Sequence, residues 1–171
     1  PSLPGLEART EYLRPDIRRA PHGKPQPYKL FFGLFLPSDD PARVAEKADA
    51  LCLQHGLTGS PVAADRLHVT LHVVGDFLDK VPLMPVEAAR AAAATVVCPP
   101  LRIVFDQALS FQYNHAFVLR CDGGSDAAVA RLRHTLSLAM RRAGLRSTPE
   151  RTPHMTLLYR SPRIPVHPIE P

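Results

Sequence analysis

With 171 residues, of which 45% are hydrophobic and 22% charged, the chain has the size and composition of one globular domain, which excludes fibrous and wholly disordered proteins. Three cysteines without a C-x-x-C pair favour reduced thiols in the cytoplasm, and no apolar run is long enough to span a bilayer. The net charge of +5 favours an anionic partner such as nucleic acid or a phosphate ester.

The first half of the chain predicts an arm, a strand, a helix and a second strand. Residues 1–27 combine prolines with basic residues and predict a basic arm ahead of a single domain over residues 28–171. The apolar run KLFFGLFL at 29–36 predicts a buried strand. We expect a helix next, with Asp40 as N-cap, Pro41 as first residue and Gly56 as its end. Residues 67–75 (LHVTLHVVG) then predict a strand because they are rich in β-branched side chains.

The second half repeats this order of elements. An alanine-rich helix is predicted near residues 86–97, followed by strands at 101–106 and 116–121. Ser125 is the predicted cap of a strong helix that Gly144 closes. The last predicted strand covers residues 155–159. Strand, helix and a strand with His-x-Thr thus occur twice, which predicts a two-lobed α+β domain.

Two copies of His-x-Thr-Leu carry the chemistry, at His68–Leu71 (HVTL) and His154–Leu157 (HMTL). On an extended strand the His and Thr of each motif point the same way, so each lobe offers one imidazole and one hydroxyl. If the lobes pack with pseudo-twofold symmetry, His68, Thr70, His154 and Thr156 converge on one groove around a small anion. One imidazole can then act as base and the other as acid, while the threonines donate hydrogen bonds to phosphate oxygens, and no metal or cofactor is required.

Three segments extend the pattern: KLFFGLFLP at 29–37, RLHVTLHVVGDF at 66–77 and TPHMTLLYR at 152–160. Over residues 28 to about 170 the chain resembles the two-histidine phosphoesterase superfamily, specifically the bacterial RNA 2',3'-cyclic phosphodiesterases, also called 2'-5' RNA ligases. The resemblance implies a bilobal α+β fold, with two antiparallel sheets flanking a central groove and helices outside. It also implies hydrolysis of 2',3'-cyclic phosphates at RNA ends to 2'-phosphates, with His154 as base and His68 as acid. Family members usually continue past a segment like VHPIEP at 166–171 into one more apolar strand, so we expect that strand to be missing here.

Further side chains are candidates for substrate binding. His72 shares the predicted face of His68 and Thr70 and could line the groove, and its alternative is a solvated or hydrogen-bonded role at the surface. Tyr113, with Phe111, could stack a nucleobase, although Phe111 could equally pack in the core. Arg151 and Arg160 flank the second motif and could grip phosphate, or could be exposed strand-end residues. The i, i+4 spacing of His68 and His72 would suit zinc only on a helix, so we predict no metal site.

Other functions remain open at the level of sequence. The groove could hold a nucleotide or an RNA end without turnover. The same site could act on another small phosphoester, or could join RNA ends in the reverse reaction. We expect RNA ends or 2',3'-cyclic nucleotides as partners, a cytoplasmic location, no membrane attachment and no obligate protein partner.

Overall fold

The computed structural model describes residues 28–36, 41–78, 80–146, 148–149 and 152–170. Within these ranges lie three α-helices, namely α1 (Pro41–Gln54), α2 (Leu83–Ala94) and α3 (Gly123–Arg142). The strands of the same ranges are β1 (Tyr28–Phe35), β2 (Ser60–Pro61), β3 (His68–Phe77), β4 (Phe105–Ser110), β5 (Phe117–Cys121), β6 (Thr148–Pro149), β7 (His154–Tyr159) and β8 (His167–Pro168). The α+β class predicted from the sequence is therefore confirmed. The N-terminal arm and the Asp40 cap lie outside the described residues.

Strand pairing follows the order β1-β3-β7-β5-β4-β8, with β2 on β7 and β6 on β3. The pairs β3–β7, β5–β7, β4–β5 and β4–β8 are all antiparallel, as expected. β8 falls in the C-terminal segment where the sequence predicted no strand, and it pairs with β4. None of the helices in the described ranges is long and apolar enough to cross a membrane.

The chain divides into two compact units, and both His-x-Thr motifs belong to the second. Within the described residues this second unit comprises 33–36, 41–70, 101–129 and 152–170. Its core contains Ala48 from α1 and Val69, Ala108, Leu119 and Met155 from the strands. Burying these apolar side chains on one face of the sheet is the main stabilising contribution, and it forces the alternate side chains of each strand to the opposite face.

The first unit comprises the described residues among 28–32, 71–100 and 130–150. It contains α2, most of α3 and the end of β3, where His72 and Val73 pair with β6. The buried stripe of α3 in this unit includes Leu132, Leu136 and Met140, as the helical spacing predicted.

Two boundaries differ from the sequence prediction. β4 runs from Phe105 to Ser110, not over 101–106, because the turn that follows it sets the ladder from Ser110 opposite Phe117. α3 begins at Gly123, and Asp122 accepts the backbone N–H of Ser125 through Oδ1 at 2.6 Å. Asp122 is therefore the N-cap, and Ser125 instead accepts the N–H of Val104 at 2.9 Å.

Candidate active site

One register places both motifs on a single face of the sheet. Val69 of β3 pairs with Met155 of β7, and both side chains are buried in the core. Side chains alternate along a strand, so the residues on either side of this pair point to the opposite face. They are the four residues of the motifs: His68, Thr70, His154 and Thr156. Each is half-buried, and the antiparallel register sets each histidine opposite the threonine of the other motif.

Both imidazoles are held in the same way by their own strands. Nδ1 of His68 lies 2.6 Å from the carbonyl oxygen of Arg66, and Nδ1 of His154 lies 2.8 Å from that of Thr152. A carbonyl oxygen only accepts hydrogen bonds, so Nδ1 carries the proton in each ring. The lone pair of each neutral imidazole therefore lies on Nε2, which is the nitrogen that gains or loses a proton.

Each imidazole also contacts a phenylalanine ring. Phe35 stacks on His68 with ring centroids 5.3 Å apart, and Phe111 meets His154 edge to face at 4.7 Å. Such contacts restrict ring rotation and shield one side of each histidine from water. The two rings are thus oriented by a hydrogen bond and by packing.

The electrostatic environment lowers the pKa of His68. The largest cause is burial, which penalises the charged imidazolium, and the hydrogen bond to the Arg66 carbonyl opposes it. The positive charges of His154 and Arg66 lower the pKa of His68 further. The lowered pKa keeps His68 neutral at pH 7, and a positive charge on His154 disfavours a charge on His68.

An exposed aromatic ring lies beside His154. Tyr113 is 74% exposed and stacks on Phe111 with centroids 5.4 Å apart and an interplanar angle of 19°. The turn that carries it is ordered by hydrogen bonds from Phe111 N to Ala116 O and from His115 N to Phe111 O. The geometry provides a flat surface next to the second imidazole.

The remaining predicted site residues fall in different places. His72 is fully buried, and its Nε2 lies 2.9 Å from the carbonyl oxygen of Arg133 in α3. It is a structural residue and does not line the site, because this face of β3 is covered beyond Thr70. Arg160 is exposed at the end of β7 with φ of 62°. Arg151 lies outside the described residues.

Arg120 is near the two motifs but is not among the site residues that the sequence predicted. It lies on β5 directly opposite His154, half-buried, and Leu119 beside it points into the core. Alternation within FVLRC could have put Arg120 on the polar face, but only the β5–β7 register places it next to the second His-x-Thr motif. In the parts of the chain that the structure describes, no three His, Cys, Asp or Glu residues come together in a way that could hold a metal ion.

Comparison with known proteins gives a consistent result. The family model described as 2'-5' RNA ligase superfamily matches residues 36–171. The crystal structure of E. coli LigT complexed with 3'-AMP is 26% identical and has a TM-score of 0.64, covering 84% of this chain and 79% of that chain. E. coli LigT complexed with phosphate is 25% identical with a TM-score of 0.61, covering 84% and 78% of the two chains.

A protein of Thermus thermophilus shares the fold. It is 21% identical, has a TM-score of 0.55, and covers 82% of this chain and 80% of its own. No protein of curated function matches the chain in sequence.

Proposed function

Because the chain belongs to the 2'-5' RNA ligase superfamily, we propose that it is a metal-independent phosphodiesterase that opens 2',3'-cyclic phosphates at RNA ends to give 2'-phosphates. The observation that carries the proposal is the pair of imidazoles on one sheet face, each with its Nδ1 proton directed to a carbonyl, so that Nε2 is the nitrogen that would exchange a proton. The reduced state of the three cysteines and the RNA substrate support a cytoplasmic location.

The reaction is an in-line displacement at phosphorus. One Nε2 takes a proton from water while the water oxygen forms a bond to phosphorus. The bond from phosphorus to the 3'-oxygen breaks, and the second imidazole delivers its proton to that oxygen. The products are a 2'-phosphate and a 3'-hydroxyl. Thr70 and Thr156 donate hydrogen bonds to the non-bridging oxygens, where negative charge grows in the transition state.

We assign His154 as base and His68 as acid, in keeping with the family resemblance. The lowered pKa of His68 in the unliganded protein opposes an acid role, since the acid must be charged. An anionic phosphate between the rings favours the imidazolium and raises the pKa of His68 again. We therefore expect His68 to gain its proton together with the substrate.

A substrate with an activated leaving group tests this assignment. A p-nitrophenyl phosphodiester expels a stable anion that needs little protonation. Loss of the acid should therefore lower the hydrolysis rate only slightly, whereas loss of the base should lower it by the full factor. The His68→Ala variant should recover most of its activity on this substrate, and His154→Ala should not. The reverse pattern would exchange the two roles.

A nucleobase next to the cyclic phosphate has a surface to stack on. The exposed Tyr113 ring stacks on the half-buried Phe111 beside His154, and base stacking on such a ring tolerates any sequence. Structures of E. coli LigT have been solved with 3'-AMP, with ATP and with NADP+, which supports a nucleotide substrate here.

The direct test is turnover of 2',3'-cyclic nucleotides and of RNA with a 2',3'-cyclic end, in saturating chelator. We expect hydrolysis to a 2'-phosphate, identified by phosphorus NMR. Loss of activity that returns with added zinc or magnesium would contradict the metal-free mechanism. Binding of the cyclic nucleotide without turnover would identify a binding module. Joining of RNA ends would identify the ligase direction.

A further inference from the structure

We propose that Arg120 binds the phosphate of the substrate through its guanidinium, as a third contact beside the two histidines and the threonines. This proposal rests on the proposed function, because it assigns a residue to the same site. Arg120 lies outside both His-x-Thr motifs, and its position and its unsatisfied hydrogen-bond donor point to this role.

The position follows from the register between β5 and β7. Leu119 lies opposite Met155 in the core, and Arg120 lies opposite His154. Directly opposed residues of an antiparallel pair have Cβ atoms only about 5 Å apart. Arg120 therefore emerges from the same sheet face as His154, and with Thr70 it forms one row of side chains across three strands.

The Nε–H donor of the Arg120 guanidinium is unsatisfied within the described part of the chain. Nε of Arg120 is buried and has no hydrogen-bond partner among the residues that the structure describes. A buried N–H without an acceptor costs free energy, so such a group is normally paired. A phosphate oxygen satisfies it well, because the planar guanidinium presents two parallel N–H groups to two oxygens of an anion.

Asp106 is the competing explanation. The ladder pairs Phe105 with Cys121 and Gln107 with Arg120, so Asp106 is the extra residue of a bulge opposite Arg120. Its Oδ1 is also buried and without a partner in the described part of the chain. If Arg120 served only to neutralise Asp106, its loss would affect stability and leave anion binding unchanged.

Inorganic phosphate is the probe, because its binding is independent of turnover. Isothermal titration calorimetry would give its dissociation constant for the wild type, R120Q, R120K and D106N. R102Q is the matched control, since Arg102 is exposed in the same unit and loses the same charge. Thermal melts of each variant report folding.

We expect R120Q to bind phosphate roughly tenfold to a hundredfold more weakly, as for loss of a charge-assisted hydrogen bond. R120K should fall between R120Q and the wild type, because lysine keeps the charge and lacks the paired donors. R102Q should change little, and D106N should bind as tightly as the wild type or more tightly. On a 2',3'-cyclic nucleotide, R120Q should raise KM as well as lower kcat.

Unchanged phosphate affinity in R120Q and R120K would overturn the proposal. If R120Q fails to fold, the phosphate dissociation constant of R120K tests the proposal instead. If D106N lost as much phosphate affinity as R120Q, both residues would act by maintaining the structure of the site. That result would also overturn the proposal that Arg120 binds phosphate. A wild-type protein that binds phosphate through Arg120 and yet hydrolyses no cyclic phosphate would refute the proposed function alone.

Discussion

Replacing either His68 or His154 with alanine should lower turnover heavily and by similar factors. A positioned acid or base contributes ~10² to 10⁴ in rate, which is about 3 to 5 kcal/mol of the activation barrier. Both rings are oriented by a carbonyl hydrogen bond and a phenylalanine contact, so we expect losses in the upper part of this range. The similarity of the two settings is the reason to expect similar factors.

The assay is steady-state hydrolysis of a 2',3'-cyclic nucleotide, with circular dichroism and thermal melts as folding controls. The double variant should lose less than the product of the two single losses, because both groups serve one displacement. Thr70→Ala and Thr156→Ala should cost roughly tenfold to a hundredfold each, since each removes one hydrogen-bond donor and leaves proton transfer in place. Folded His68→Ala and His154→Ala proteins with turnover near wild type would refute the two-histidine mechanism.

Three further predictions concern stability. His72→Leu fills the same buried volume and removes the side-chain hydrogen bond to the Arg133 carbonyl. It should therefore lower the free energy of unfolding by about 0.5 to 1.5 kcal/mol in urea titrations, without changing KM; a large change in KM would show that His72 does contribute to the site. Because the pKa of His68 is lower in the folded protein than the unfolded value of about 6.5, the unfolded chain binds more protons below that pH. The stability of wild type relative to His68→Ala should therefore be constant above that pH and decrease as the pH falls below it; a relative increase would contradict the lowered pKa. Gly59→Ala would bring Cβ against the Tyr159 carbonyl and within 2.6 Å of a Leu158 methyl, so it should lower the free energy of unfolding by about 1 to 3 kcal/mol. The control Gly124→Ala should be tolerated, because its Cβ would meet only the Asp122 carboxylate at 3.8 Å. Equal melting temperatures for the two variants would show that the chain at β2 accommodates the methyl group.

Local periodicity predicted the strands that carry the site but not which strands pair with each other. Alternation in HVTL and HMTL assigned His and Thr to one face of each strand, and the burial of Val69 and Met155 agrees with that assignment. The pairing of β3 with β7 joins residues far apart in the chain, and no local pattern specifies it. For the same reason Arg120 was missed, since its proximity to His154 depends on the β5–β7 register.

The burial of His72 could not be predicted from strand periodicity either. The period of two placed it on the face of His68 and Thr70, but periodicity does not say what covers each part of a face. The carbonyl of Arg133 in α3 reaches the ring two residues after Thr70, and the histidine is buried there. For β4, the strand predicted over 101–106 began too early, because the hairpin turn after Ser110 fixes the ladder.

The carbonyl two residues before each histidine makes the tautomer of the ring a property of a very short segment. The backbone carbonyls of Arg66 and Thr152 accept the Nδ1 protons of His68 and His154. Tautomer choice is thereby separated from the distance between the rings, which depends on the register of the β3–β7 ladder. Shifting that register, or grafting the five residues from Arg66 to Thr70 onto another antiparallel pair, should therefore alter the separation of the proton donor and acceptor. Each ring should still carry its proton on Nδ1.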